Sequence, residues 1–279
     1  MTLVTNVHVI VRHVGERTKE LCSERLQQQV DTVEFVSCTP FSQTVKTCFE
    51  RAITANKKWT VCVDADVVPT DNCIKKLVDI AEQGPATLFE AQGLVADKVF
   101  GVLRPAGNHI YRTSLLPTAL QHLAENAGSL RPESGVVWSM ARQEACPWWQ
   151  DQAFIGLHDH GQFYGDLIRK VLVQFFKFPA QRPDMEKQFM AKAQKGDRDY
   201  AAAVEAVRYA QSMLQEPIPL DAEWMQQHVR SIVDACGIVE KDGLASAETA
   251  TLISALEKVS AQSVTERDMQ FIGQLGLRQ

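Results

Sequence analysis

WTVCVDADVVP, residues 59–69, is an apolar strand that runs into two aspartates with one residue between them. Thr60 to Val63 is short, β-branched and almost wholly apolar, the pattern of a strand buried on both faces. Asp64 and Asp66 stand where that strand would leave its sheet, and Pro69 is expected to stop further pairing. In an extended chain, residues i and i+2 point to the same side. Two carboxylates so placed can share one hard divalent cation, which prefers oxygen ligands and tolerates bound phosphate. The same acids would also suit a solvated turn that caps the next helix.

Outward from this stretch the chain alternates. Strands are expected at 4–11, 33–37 and 60–63, and helices at 18–30, 41–55 and 71–82. That order predicts an α/β fold, an open, mostly parallel, Rossmann-like sheet covered by helices. In such sheets ligands bind beyond the carboxyl ends of the strands, where Asp64 and Asp66 lie. Further strands are expected at 86–91, 98–103, 108–112, 136–141 and 153–157, with a helix at 116–127. From 179 the chain turns alanine-rich, charged and periodic, which predicts helices over 185–214, from 221 to about 236, and over 247–261. The expected division is a sheet domain over 1–178 and a C-terminal helical region over 179–279, which packs on the sheet or builds a homo-oligomer.

With 45% hydrophobic and 23% charged residues in a chain of 279, a sizeable core is available and a disordered chain is excluded. A net charge of −5 speaks against a general nucleic-acid binder. The seven cysteines are scattered with no CxxC pair, and Cys22, Cys48, Cys62 and Cys73 fall in apolar patterns as small reduced core residues. No apolar run approaches the ~18–20 residues of a membrane span. The amino-terminal run carries His8 and Arg12, so it reads as a strand and not as a signal peptide, and the cytoplasm is the expected compartment.

A second informative stretch is FIGLHDHGQFYGDLIRK, residues 154–170. A strand ending in His158-Asp159-His160 would bring an imidazole back to a cation held by Asp64 and Asp66. One His with two Asp suits Mn2+, and Mg2+ less well, because imidazole is a softer ligand than carboxylate. His158 is favoured over His160 because it directly follows the strand. The alternative is a surface turn with Asp159 capping the next helix.

Taken in order, four pieces resemble the GT-A class of nucleotide-sugar glycosyltransferases, especially its family-2-like group. They are VRHVGERT at 11–18, VDADVVP at 63–69, GNHIYRTSLL at 107–116 and LHDHGQFYGDLIRK at 157–170. The resemblance covers about residues 3–178. It implies a nucleoside diphosphate sugar donor bound through Mn2+ or Mg2+, with the cation countering charge on the leaving diphosphate. It further implies that Asp66 and His158 contact the metal. Asp64 would face the ribose, or reach the metal directly or through water, and Ala65 between the two acids would line the donor.

Inverting members use a carboxylate to deprotonate the acceptor hydroxyl. Their Glu-Asp pair is absent here, and SLRPESGVVW at 129–138 offers the single Glu133. Glu133 and Asp159 are the candidate catalytic acids. Arg12, Glu16 and Arg17 would meet the donor's base or diphosphate, or else serve as surface charges. Lys46 and Arg169 are further donor candidates, Lys46 also reading as an ordinary exposed lysine. Arg112 would brace the acceptor loop or bind an acidic acceptor, and Trp138, Trp148 and Trp149 would stack on a sugar or fill the core. The acceptor is left open between a carbohydrate, a lipid-linked group and a protein.

Two competing classes remain. A sugar-phosphate nucleotidyltransferase has a similar sheet and carboxylate-held Mg2+, but a glycine-rich, basic phosphate loop after its first strand. HVGERT has one glycine and no lysine before Lys19. A non-catalytic sugar-nucleotide binder, with the helical region as its assembly part, is the other.

Overall fold

Alternating apolar side chains build one sheet with a helical layer on each face. Its strands are β1 (Val7–Arg12), β2 (Val33–Val36), β3 (Trp59–Asp64), β4 (Val67–Pro69), β5 (Glu90–Asp97), β6 (Val102–Arg104), β7 (Asn108–Arg112) and β8 (Trp148–His158). They are ordered β2-β1-β3-β7-β5-β8-β4, with β6 beside β5. This computed structural model describes residues 3–129, 131–214 and 222–262. Contacts group the chain into two units, 1–160 with 246–279, and 161–245.

Val9 and Val11 of β1 and Val61 and Val63 of β3 face one core, with side chains of α1 (Lys19–Gln27) and α3 (Cys73–Gln83). Ile10, Cys62 and Tyr111 face the other, with α2 (Phe41–Ala55), α4 (Leu116–Asn126) and α5 (Pro132–Gln143). Cys22 and Cys73 are buried in the first core, Cys48 and Cys62 in the second.

β1 is parallel to β2 and β3, and β5 is parallel to β8. β7 is antiparallel to both β3 and β5, so β5 and β8 run in the direction of β3. Five strands therefore point one way, while β4, β6 and β7 oppose them. The expected α/β class is present, with pairing more mixed than a mostly parallel sheet suggests. The direction matters for chemistry. Arg12, Asp64, Asp97 and His158 are the last residues of β1, β3, β5 and β8, so four polar strand ends share one edge.

Three local expectations are corrected. The run 136–141 lies in a helix, α5, where Pro132 suits the first turn and Val136, Val137 and Met140 form the buried stripe. Pro69 does not stop pairing. It sits opposite Gly156 in β4, an edge strand, where a missing N–H is tolerated, and its carbonyl accepts from Arg25 Nε at 2.5 Å. The strand expected at 86–91 forms instead as β5, where Glu90 and Gln92 are buried among apolar neighbours.

The unit over 161–245 is helical: α6 (Tyr164–Lys177), α7 (Arg182–Ala193), α8 (Arg198–Ser212) and α9 (Ala222–Ala235). α6 buries Leu167, Ile168, Val171, Leu172 and Phe175, one helical face. The helix expected over 185–214 is split, because Gly196 takes a left-handed φ of +90° and the Asp197 side chain caps α8 through the Asp199 N–H. Glu240 accepts the N–H groups of Tyr164 and Gly165 at 2.6 and 2.9 Å, closing the start of α6. α10 (Ser246–Ala261) groups with the sheet, and Glu248 receives both terminal nitrogens of Arg17, at 2.9 and 2.6 Å. The grouping thus does not coincide with the expected boundary at 178. Among the described residues no helix is long and apolar enough to cross a membrane.

β4 depends on one glycine. A Cβ on Gly156 would stand 2.4 Å from the Val68 carbonyl oxygen and 3.0 Å from Pro69 Cα. Gly156→Ala is expected to push β4 off β8 and to cost ~1–3 kcal/mol of stability, as overpacked sites do, read from the urea midpoint.

Candidate metal centre

The strand order places a switch point between β1 and β3, since β2 lies on one side of β1 and β3 on the other. Arg12 and Asp64 are register partners there. Both fall on the sheet face that carries Ile10 and Cys62, which α5 covers. Arg12 Nε donates to Asp64 Oδ1 at 2.7 Å, and its Nη1 donates to Glu133 Oε1 at 2.5 Å. The Tyr111 hydroxyl donates to the same Glu133 oxygen at 2.6 Å. His109 stands between two acids, its Nδ1 2.6 Å from Glu90 Oε1 and its Nε2 3.4 Å from Glu133 Oε2.

Burial raises the Glu133 carboxyl, but Arg12, His109 and the Tyr111 hydroxyl together bring it below the ordinary carboxylate range. Burial likewise pushes the Asp64 carboxyl up, but Arg12 and His109 outweigh it and hold it below the ordinary carboxylate range. Glu90 is pushed up by burial. Burial works to lower His109, yet Glu133 and Glu90 hold it above its usual value.

The second aspartate goes elsewhere. β3 ends at Asp64, and the chain turns at Ala65 and Asp66 before β4. Ala65 is fully buried; its N–H donates to the Arg12 carbonyl at 2.9 Å, and its carbonyl accepts from Thr18 Oγ1 at 2.7 Å. Pairing of Val67 with His158 then sets Asp66 beside the end of β8, where the Asp159 N–H donates to the Asp66 carbonyl at 3.1 Å. Potential ligand atoms of Asp66, His158 and Asp159 lie within 4.8 Å of one another. His158 Nε2 is 3.5 Å from Asp66 Oδ2, and its Nδ1 is 3.0 Å from both Asp97 Oδ2 and Asp159 Oδ2. Asp159 holds a left-handed φ of +63°, a conformation Asp tolerates better than most residues. Two carboxylates and one imidazole fit Mn2+, and Mg2+ less well.

The remaining expected residues are placed as follows. Burial and Lys98 push His160 down to about 4, which keeps it neutral, and it is not one of the three converging residues. Glu16 accepts the Val14 N–H at 2.7 Å, a turn contact, and Arg17 is held by Glu248. Lys46 is half-exposed on α2, near Glu50. Arg169 is likewise half-exposed on α6, 3.8 Å from Asp166. Arg112 is not at the site end. It covers the Trp59 ring, its guanidinium 4.4 Å from the centroid, and donates to the Leu88 and Pro85 carbonyls at the opposite end of β3. Trp138 is exposed on α5, and Trp148 and Trp149 begin β8, some ten residues or about 33 Å of strand from His158.

No protein-family model matches the chain, and no curated protein matches it. Solved structures do match. A mannosyltransferase from Pyrobaculum calidifontis, solved with GDP-Man and Mn2+, aligns at 12% identity over 95% of this chain and 84% of its own, with a TM-score of 0.35. Glucosyl-3-phosphoglycerate synthase from Mycobacterium tuberculosis, solved with Mn2+, UDP and phosphoglyceric acid, aligns at 12% identity over 55% and 70%, with a TM-score of 0.38. A CMP:2-keto-3-deoxy-manno-octonic acid synthetase solved with CTP aligns at 12% identity over 55% and 92%, with a TM-score of 0.36. The likeness is faint and lies at the level of fold.

Sequence reasoning missed Glu90, Gln92, Asp97, Arg104 and His109. A signal existed: Glu90 and Gln92, like His109 and Tyr111, alternate within otherwise buried strands, which places each pair on one face. A raised His109 contributes stability that is complete below 6.5 and is lost as pH rises through its higher folded value. The stability gap between wild type and His109→Gln is therefore expected to be wider at about pH 6 than at about pH 9. Urea unfolding at the two pH values measures it, and equal gaps would show that the ring gains no charge from its two acids.

Proposed function

We propose that this chain is a metal-dependent glycosyltransferase that takes a nucleoside diphosphate sugar as donor, with Mn2+ or Mg2+ held by Asp66, His158 and Asp159. The observation that supports this reading most is the convergence of those three side chains within 4.8 Å at the carboxyl edge of the sheet. A bound divalent cation there supplies Lewis-acid neutralisation of the leaving diphosphate.

The chain's own residues divide the remaining work. Asp64 is held by Arg12 at the switch point, suited to face the donor's ribose. Glu133 anchors Arg12; an acid kept ionised by a guanidinium and a phenol hydroxyl is a weak base for an acceptor hydroxyl. The helices α7, α8 and α9 are read as serving the acceptor side or oligomer formation.

The test is a thermal-shift and calorimetric titration with UDP-, GDP- and dTDP-sugars, with and without Mn2+. At about a hundred times its Kd, a ligand adds ~2.7 kcal/mol to the folded state. Asp66→Ala and His158→Ala should each remove the Mn2+-dependent part of that gain while the unliganded protein still melts cooperatively. Identical Mn2+-dependent gains in wild type and both variants would overturn the reading.

A further inference from the structure

Asp97 ends β5 directly beside His158, its partner in the parallel register of β5 and β8. Its side chain has no solvent exposure and is held from several directions. Oδ1 accepts the Phe100 N–H at 3.0 Å, and Oδ2 accepts Arg104 Nε–H at 2.6 Å. The same Oδ2 is 3.0 Å from His158 Nδ1. A carboxylate paired with arginine is ionised and can only accept hydrogen bonds, so Nδ1 must carry the hydrogen. A neutral imidazole has one N–H, which leaves the lone pair on Nε2, the nitrogen that faces Asp66 Oδ2 at 3.5 Å.

We propose that Asp97 is a positioning residue: by accepting the Nδ1–H of His158, it fixes the imidazole in the tautomer and orientation that present Nε2 to a divalent cation. The proposal rests on reading Asp66, His158 and Asp159 as a metal centre. Asp159 Oδ2 also lies 3.0 Å from Nδ1, but Asp159 belongs to the converging set itself. Asp97 stands outside that set and acts only through His158. Carboxylates that hold a ligating histidine by its other nitrogen fix both tautomer and ring angle, and their loss typically weakens metal binding 10–100-fold. In Asp97→Asn the amide can turn its NH2 toward Nδ1, which then accepts and drives the hydrogen onto Nε2.

Two measurements test this. Calorimetry with Mn2+ alone should give a Kd about 10–100-fold weaker in Asp97→Asn than in wild type, with far-UV circular dichroism unchanged. Long-range proton–nitrogen NMR of wild type, with Cd2+ as a diamagnetic probe, should show His158 protonated at Nδ1 and metal-bound at Nε2. The second arm decides alone if the variant does not fold. Metal on Nδ1, or wild-type Mn2+ affinity in a folded Asp97→Asn alongside lost affinity in His158→Ala, would overturn the role of Asp97 and spare the metal centre. Unchanged Mn2+ affinity in His158→Ala would overturn the metal centre, and Asp97 with it.

Discussion

Arg12 ends a central strand with a full charge and 3% exposure, and such a charge survives folding only with its partners in place. Its guanidinium bridges Asp64 of β3 and Glu133 of α5, and Glu133 takes the Tyr111 hydroxyl of β7 on the same oxygen. One cation thereby couples β1, β3, β7 and a helix on the sheet's face. Removing one member of a buried pair costs ~3–5 kcal/mol. An exposed pair such as Lys75 with Asp79 is worth ~0–1 kcal/mol. The switch point is therefore fixed by charge satisfaction as well as by the apolar cores on its two faces.

That constraint explains why the two aspartates of VDADVVP part company. Asp64 keeps the strand's alternation and so falls on the face where Arg12 waits. Asp66 lies past the turn at Ala65, whose small buried side chain lets the backbone close onto β1 and Thr18. Gly107 completes the fit: with φ at +60°, it accepts the Asp64 N–H at its carbonyl, and a Cβ there would press within 2.7 Å of Val67. Same-side placement by i, i+2 spacing holds only while the chain stays extended, and here it does not.

Much of the fold was legible because β1 and β3 are short apolar runs with polar ends, and α2 and α3 carry an apolar stripe at helical spacing. The aspartates and the His158 turn stood out as candidates because charges at the end of an apolar strand interrupt its buried pattern. α5 was not legible, since a short, mainly apolar run such as 136–141 suits either a strand or a helix and only Pro132 and Glu133 mark its start. β4 was hidden by Pro69, because a rule written for central strands fails at an edge. The split between α7 and α8 was written in Gly196-Asp197, a stop followed by a cap, but alanine periodicity on both sides masked it. The place of Asp97 beside His158 depends on cross-strand register, which no local window contains.

Register is what turns this edge into a chemical site. The parallel pairing of β5 with β8 sets Asp97 beside His158, and the antiparallel pairing of β4 with β8 sets Val67 opposite the same residue. A slip of one residue in either ladder would reverse which face its side chains occupy and separate imidazole from carboxylate. Two features resist such a slip. Arg104 reaches across from β6 to hold Asp97, and Gly156 lets Val68 and Pro69 approach closer than any side chain would allow. The three-residue strand β4 buries Val67 and Val68 in the core, and its pairing brings Asp66 to His158. A strand of only three residues thus controls whether the three ligand atoms meet.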